Sequence, residues 1–141
     1  MDPSNQFISK RLYREHCSIS NCTLFKNIDL LGRDLASVII VDNSPANFKS
    51  NTSNGIAIET WIENQNDNKL EELSLLLKNL ACVEDVRKYI PILKKNNNDY
   101  FDLAQIIKNE ISKGKIVDNF PIKGIKNVDS KIECLNKRYF N

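Results

Sequence analysis

The stretch VIIVDNSP, residues 38–45, decides the fold class. Its first four residues, Val38 to Val41, are all β-branched, and such an uninterrupted apolar run is typical of a parallel strand that is buried on both faces. Pro45 lacks a backbone N–H and therefore ends the strand. We predict a central strand of a parallel sheet, followed directly by polar residues.

The sequence before this strand contains shorter extended patterns. Residues 7–14 (FISKRLYR) alternate loosely between apolar and polar and predict a strand, and residues 23–25 (TLF) predict another. Ser20-Asn21 between them indicates a turn. Residues 30–35 (LLGRDL) predict a helical turn or loop that leads into the central strand.

The sequence after the central strand is mostly helical in pattern. Residues 56–58 (IAI) predict one more brief strand. Leucines then recur at three- and four-residue spacing over residues 70–80, which predicts an amphipathic helix against a core. Residues 83–90 predict a second helix that Pro91 ends, and residues 103–111 predict a third that Lys113-Gly114 closes.

Strands interleaved with helices predict an α/β fold. A chain of 141 residues has room for one compact domain, and its 41% hydrophobic and 27% charged residues are ordinary for a globular protein. Three or four short strands would leave the long apolar strand with an uncovered edge. We therefore expect that further sequence, before Met1, completes the sheet.

Several classes of function are disfavoured by composition. The net charge of +2, with acidic and basic residues interleaved, argues against direct nucleic-acid binding. No apolar run is long enough for a membrane span, and no secretory signal follows Met1. The four cysteines lack the paired spacing of a zinc site, so we expect reduced thiols in a nuclear or cytoplasmic protein.

The polar end of the central strand carries the clearest chemistry. Ligands of open parallel sheets bind beyond the carboxyl ends of the strands, where Asp42 and Asn43 are expected. One carboxylate oxygen and one amide oxygen are hard ligands that suit Mg²⁺. Asp, Asn, Ser and Pro are also turn formers, so the local pattern of residues 42–45 by itself favours a plain turn over a metal site.

Four blocks in order carry a family resemblance: residues 7–17 (FISKRLYREHC), Lys26, residues 31–35 (LGRDL) and residues 38–45 (VIIVDNSP). They resemble the small C-terminal-domain phosphatases, which include the nuclear-envelope phosphatase and the NLI-interacting factors, within the haloacid dehalogenase-like superfamily. The resemblance spans about residues 2–90. It implies a partial haloacid dehalogenase-like, Rossmann-type parallel sheet with flanking helices.

The resemblance also implies a domain division. Residues 1–95 would be the C-terminal part of the phosphatase homology domain, and residues 96–141 a helical extension and tail of unknown role.

The site residues come from the same resemblance. Lys26 and Asp42 look like catalytic residues, Asp42 and Asn43 like the residues that bind Mg²⁺, and Arg14 like a substrate-binding arginine. A lysine suits phosphoryl chemistry because its point charge stabilises the transferring oxygens. The alternatives are that Lys26 is a solvated surface charge and that Arg14 pairs with a nearby carboxylate.

Other residues of the matched blocks are expected to be structural, namely His16, Arg33 and Asp34. Two departures from the family are visible: Asn27 replaces an acidic residue, and residues 54–58 (NGIAI) replace Asn-Ala-Ile-Pro-Ile. These changes concern loop packing and substrate binding more than the charge of the site.

The family's nucleophile motif, Asp-x-Asp-x-Thr/Val, does not occur in this sequence. The resemblance implies a Mg²⁺-dependent serine/threonine phosphatase that acts through an aspartyl-phosphate on phosphoserine or phosphothreonine proteins, the RNA polymerase II C-terminal domain being one candidate. Covalent transfer needs the nucleophile, so we expect this chain alone to be inactive. The alternatives are a non-catalytic binding or regulatory fragment and a mitochondrial import translocase-type homologue.

Overall fold

The computed structural model describes residues 8–97 and 99–114, which form a mixed α/β structure. Its strands are β1 (Ser18–Ser20), β2 (Thr23–Phe25), β3 (Ile40–Asp42) and β4 (Gly55–Ala57). Its α-helices are α1 (Lys69–Leu80), α2 (Ile90–Lys95) and α3 (Tyr100–Ser112). Single turns of 3₁₀-helix lie at Arg14–His16, Ile28–Leu31, Leu35–Ser37, Pro45–Phe48, Thr52–Asn54 and Val86–Lys88. The predicted α/β class is confirmed.

Two small sheets organise the strands. β3 and β4 pair in parallel with Val41 opposite Ile56, which confirms the parallel pairing predicted for the apolar run. β1 and β2 form an antiparallel hairpin. Within the described residues β3 has one strand neighbour, so it is an edge strand where we predicted a central one.

Two local predictions are wrong. Residues 8–14 contain no strand, because the Tyr13 N–H donates to Nδ1 of His16 and starts a 3₁₀ turn; Phe7 lies outside the described residues. Pro91 does not end a helix but lies in the first turn of α2. Proline is well tolerated there because the first-turn N–H groups have no partner within the helix.

The main core joins the helices to β4. The leucine pattern of α1 is confirmed, since Leu76 and Leu80 are fully buried and pack with Leu103 and Ile107 of α3 around Ile56. At one end the Tyr100 hydroxyl donates to the Ala57 carbonyl oxygen over 2.6 Å. α3 thus shares the core of the preceding residues, although the boundary predicted at residue 95 itself remains a prediction. Residues 115–141 of the predicted tail lie outside the described residues.

A smaller cluster supports the segment that follows β3. Phe48 is buried with Ile28 and Ile40 and leaves no room for a side chain at Gly55. Asn54, also buried, donates its amide hydrogens to the carbonyl oxygens of Leu35 and Val38. The residues on either side of β3 are therefore fastened to the start of β4. Among the described helices, none has the length and apolar character needed to cross a membrane.

Candidate active site

Asp42 is the last residue of β3 and is 7% exposed. Its Oδ1 accepts the Ser44 N–H and the Asn47 side-chain amide, both over 2.8 Å. Its Oδ2 accepts a hydrogen bond from Nζ of Lys26. Burial raises the pKa of Asp42, but the bonds from these three residues outweigh it and hold the pKa below its ordinary value. The carboxylate is therefore ionised at neutral pH.

Lys26 reaches Asp42 because the β1–β2 hairpin ends beside the loop that follows β3. The Lys26 N–H donates to the Asn47 carbonyl oxygen over 2.6 Å, so the same loop residue positions both members of the pair. The Lys26 side chain is half-exposed, whereas that of Asp42 is buried. This arrangement places a cation at the carboxyl end of a parallel strand with one side open to solvent.

Asn43 is adjacent to Asp42 in sequence but takes part in a different contact. It is exposed, and its Nδ2 donates to Oγ1 of Thr60 over 2.9 Å in the segment that follows β4. The bond from Ser44 N–H to Asp42 makes residues 42–44 a turn. The segment is therefore a turn, as one of the two interpretations predicted, and this turn orients the Asp42 carboxylate. The role of the segment as a functional site stays a prediction.

These residues do not form a magnesium site by themselves. Both Asp42 oxygens already accept hydrogen bonds, one of them from a cation that would repel a metal ion. Over residues 8–97 and 99–114 there is no group of three or more His, Cys, Asp or Glu side chains that could hold a metal. Mg²⁺ requires near-ideal octahedral coordination, and Asp42 and Asn43 alone supply too few ligands for it.

Arg14 is exposed and lines the same groove as Lys26. Two residues that were expected to be structural, His16 and Asp34, accept hydrogen bonds from nearby backbone groups. Nδ1 of His16 accepts the Tyr13 N–H, and Oδ1 of Asp34 accepts the Ala36 N–H at the start of the Leu35–Ser37 turn. The structure thus brings Lys26 to Asp42 directly, and Arg14 to the same groove.

Sequence reasoning missed two features of the site. Asn47 and Thr60 bind Asp42 and Asn43, yet each is an isolated polar residue in a turn-rich segment and gives no periodic signal. The groove of about 600 Å³ between the hairpin and β3 was also missed. In the sequence this groove is indicated only by apolar residues in irregular segments, such as Leu12 and Leu31, which follow no periodic pattern.

Comparison with known proteins identifies relatives over most of this region. The family described as NLI interacting factor-like phosphatase matches residues 1–87. CTD small phosphatase-like protein 2 of Dictyostelium discoideum is 43% identical over 107 residues, which cover 76% of this chain and 18% of that protein.

Two further relatives come from vertebrates. CTD nuclear envelope phosphatase 1B of Danio rerio is 32% identical over 90 residues, covering 64% of this chain and 37% of that protein. The human carboxy-terminal domain RNA polymerase II polypeptide A small phosphatase 1 is 37% identical over 76 residues, covering 54% of this chain and 29% of that protein. The chain thus spans well under half the length of each. With a lysine–aspartate pair in the matched region, this chain belongs to the NLI interacting factor-like phosphatase family.

Proposed function

We propose that this chain contributes the lysine and the metal-site strand of a Mg²⁺-dependent protein serine/threonine phosphatase with a haloacid dehalogenase-like fold. The observation that carries the proposal is the ion pair between Lys26 and Asp42 at the carboxyl end of β3. Substrates of open parallel sheets bind at that end of the strands. A half-exposed lysine there can neutralise phosphoryl oxygens as negative charge develops on them.

The other residues take supporting roles in this proposal. Asp42 holds the Lys26 ammonium group in place, Asn43 contributes its side-chain amide oxygen to the proposed metal site, and Arg14 binds the phosphoprotein substrate from the groove that Lys26 also lines. We propose that a magnesium site needs oxygen ligands in addition to Asp42 and Asn43. Mg²⁺, when bound, would neutralise charge on the phosphoryl group.

The names of the relatives support a proposal for the substrates and the location. We propose phosphoserine or phosphothreonine proteins as substrates, with the RNA polymerase II C-terminal domain as a candidate, and a nuclear or cytoplasmic location. The sequence contains no Asp-x-Asp-x-Thr/Val motif, so we propose that the chain alone has no turnover.

The test compares the chain alone with the chain after complementation. Purified 141-residue chain and p-nitrophenyl phosphate with Mg²⁺ should give no turnover. Co-expression with a segment of the family's domain that carries Asp-x-Asp-x-Thr/Val should give Mg²⁺-dependent turnover, which Lys26→Met and Asp42→Ala abolish and Lys108→Met keeps.

Two results would contradict the proposal. Turnover by the chain alone that Asp42→Ala abolishes would refute the predicted inactivity. A stable complex with the added segment that remains inactive toward phosphate esters and phosphoserine peptides would refute the phosphatase role.

A non-catalytic binding fragment is the second candidate function. The open apolar groove beside β3 is the observation that favours it, because such a groove binds a partner without any need for phosphoryl chemistry.

A further inference from the structure

Asn47 is bonded to both members of the Lys26–Asp42 pair, through two different parts of the residue. Its side-chain Nδ2 donates to Oδ1 of Asp42 over 2.8 Å, and its carbonyl oxygen accepts the Lys26 N–H over 2.6 Å. An ionised carboxylate only accepts hydrogen bonds, so the NH₂ end of the Asn47 amide must face Asp42. The side chain of Asn47 therefore holds the anion, while its backbone holds the residue that carries the cation.

Asn47 is itself held in place by the 3₁₀ turn Pro45–Phe48. Its N–H donates to the Ser44 carbonyl oxygen over 3.0 Å, and the next residue, Phe48, is fully buried. Because a close-packed interior leaves little free space, the backbone beside this ring has little freedom to shift. The Asn47 amide is thus attached to a fixed part of the chain.

The bonds to Asp42 leave one of its oxygens for the lysine. Oδ1 accepts the Ser44 N–H and the Asn47 amide, whereas Oδ2 accepts from Nζ of Lys26. Rotation of an aspartate carboxylate about its Cβ–Cγ bond is soft, so loss of the Asn47 amide would let both oxygens turn relative to the ammonium group. That group has three hydrogens, and a single bond to Oδ2 leaves two of them for other acceptors.

We propose that Asn47 is a positioning residue of this site, which restricts Lys26 to one oxygen of Asp42 and directs the remaining ammonium hydrogens toward the phosphoryl group. The inference rests on the proposed function, in which Lys26 neutralises phosphoryl oxygens. Asn47 acts through Lys26 and Asp42 and needs no contact with the substrate. A displacement of about 1 Å at a reacting group lowers a rate about 100-fold, and we expect roughly tenfold for partial release of the ammonium group.

Asn47→Ala and Asn51→Ala form a matched pair of variants. Asn51 lies four residues further along the chain, and its Nδ2 donates to Oδ1 of Asp29 over 2.9 Å. Each variant therefore removes one bond between an asparagine amide and an aspartate carboxylate, but only Asn47→Ala removes a bond at the Lys26–Asp42 pair. Asn47→Asp is a third variant, which keeps the size of the side chain and replaces the donor with a second carboxylate that competes for Lys26.

The first measurement uses the full 141-residue chain by itself and needs no activity. The order parameter of the Lys26 Cε group is obtained from ¹³C relaxation, and its signal is identified by its loss in Lys26→Met. Asn47→Ala should lower this order parameter by roughly a third, from a restrained toward a flexible side chain, and Asn51→Ala should leave it unchanged. Equal values in the wild type and the two alanine variants would overturn the role of Asn47.

The second measurement uses the complex of the chain with the co-expressed segment that carries Asp-x-Asp-x-Thr/Val. Asn47→Ala and Asn47→Asp should lower kcat for p-nitrophenyl phosphate roughly tenfold and change KM by less than about twofold, because the contact matters in the transition state. Asn51→Ala should keep the wild-type kcat. An increase in KM at unchanged kcat, or equal losses of kcat in the two alanine variants, would overturn the inference. A complex without turnover would instead refute the proposed function, and the order parameters of the chain alone would still decide whether Asn47 restrains Lys26.

Discussion

Nζ of Lys26 and Oδ2 of Asp42 form an ion pair that joins the β1–β2 hairpin to the carboxyl end of β3. The lysine side chain is half-exposed and the aspartate side chain is buried, so only the anion has lost most of its solvent. The pair is therefore a structural contact between two parts of the chain as well as the proposed centre of the site.

Lys26→Met should destabilise the fold by about 1–2 kcal/mol, because it leaves a buried carboxylate without its cation while Lys26 itself is partly solvated. Urea unfolding followed by circular dichroism at pH 7 measures the change. Lys108→Met replaces an exposed lysine on α3 and should have little effect. Equal losses in the two variants would show that the ion pair contributes nothing to stability.

Acid should weaken the fold through the same carboxylate. The pKa of Asp42 in the folded chain lies below its ordinary value of 3.8, so the stability it contributes is complete above that value and is lost as the pH falls through the folded pKa. In Lys26→Met the folded pKa should rise toward the ordinary value. The stability difference between wild type and variant should therefore shrink below about pH 4. A difference that stays constant down to pH 2 would contradict this assignment.

The sequence predicted elements whose signal is local. The leucine spacing of α1 and the β-branched run of β3 act over a few residues, so both were found. The approach of Lys26 to Asp42, 16 residues apart, depends on where the hairpin packs, and only the family resemblance indicated it. Pro91 was misjudged because proline occurs both after the end of a helix and in the first turn of a new one, and the surrounding sequence does not separate these two cases.

Asn54→Ala should cost about 1–3 kcal/mol, because it leaves the Val38 carbonyl without the donor that it has in the wild type. The Asn54 amide donates to Leu35 over 2.6 Å and to Val38 over 2.7 Å just before β3, and the Leu35 carbonyl also accepts the Val38 N–H. Asn79→Ala is the matched control, since Asn79 is also buried but donates to Leu75, whose carbonyl lies within helix α1. Chemical denaturation should rank Asn54→Ala as the more damaging, and the reverse order would show that these bonds do not fasten β3.

High pH should weaken the contact between Tyr89 and Glu110 of α3. Burial, and then the hydrogen bond of 2.9 Å to Glu110, raise the pKa of Tyr89 from 10.0 to about 12. A tyrosine with a raised folded pKa contributes stability that is complete below pH 10 and is lost as the pH rises toward 12. Urea midpoints measured from pH 9 upward should fall more steeply for the wild type than for Tyr89→Phe. Tyr100, whose pKa burial also raises, leaves a residual slope in both. Identical slopes would assign the loss to other groups.

Gly55→Ala should be among the most destabilising single-methyl additions in this chain. A Cβ at position 55 would lie 2.1 Å from Cδ2 of Phe48, and Phe48 is fully buried, so the ring cannot move into solvent. Overpacking of a buried site costs about 1–3 kcal/mol even where the neighbours can shift. The phenyl ring belongs to the Pro45–Phe48 turn that follows Asp42, so displacing it should also disturb the Asn47 bonds to the Asp42 carboxylate and the Lys26 N–H.

A double-mutant cycle separates this clash from an ordinary loss of glycine. Phe48→Leu alone should destabilise the fold by creating a cavity, but Phe48→Leu combined with Gly55→Ala should be more stable than the sum of the two changes predicts. Unfolding free energies of the four proteins give the coupling directly. Strict additivity would mean that the two residues do not compete for the same space.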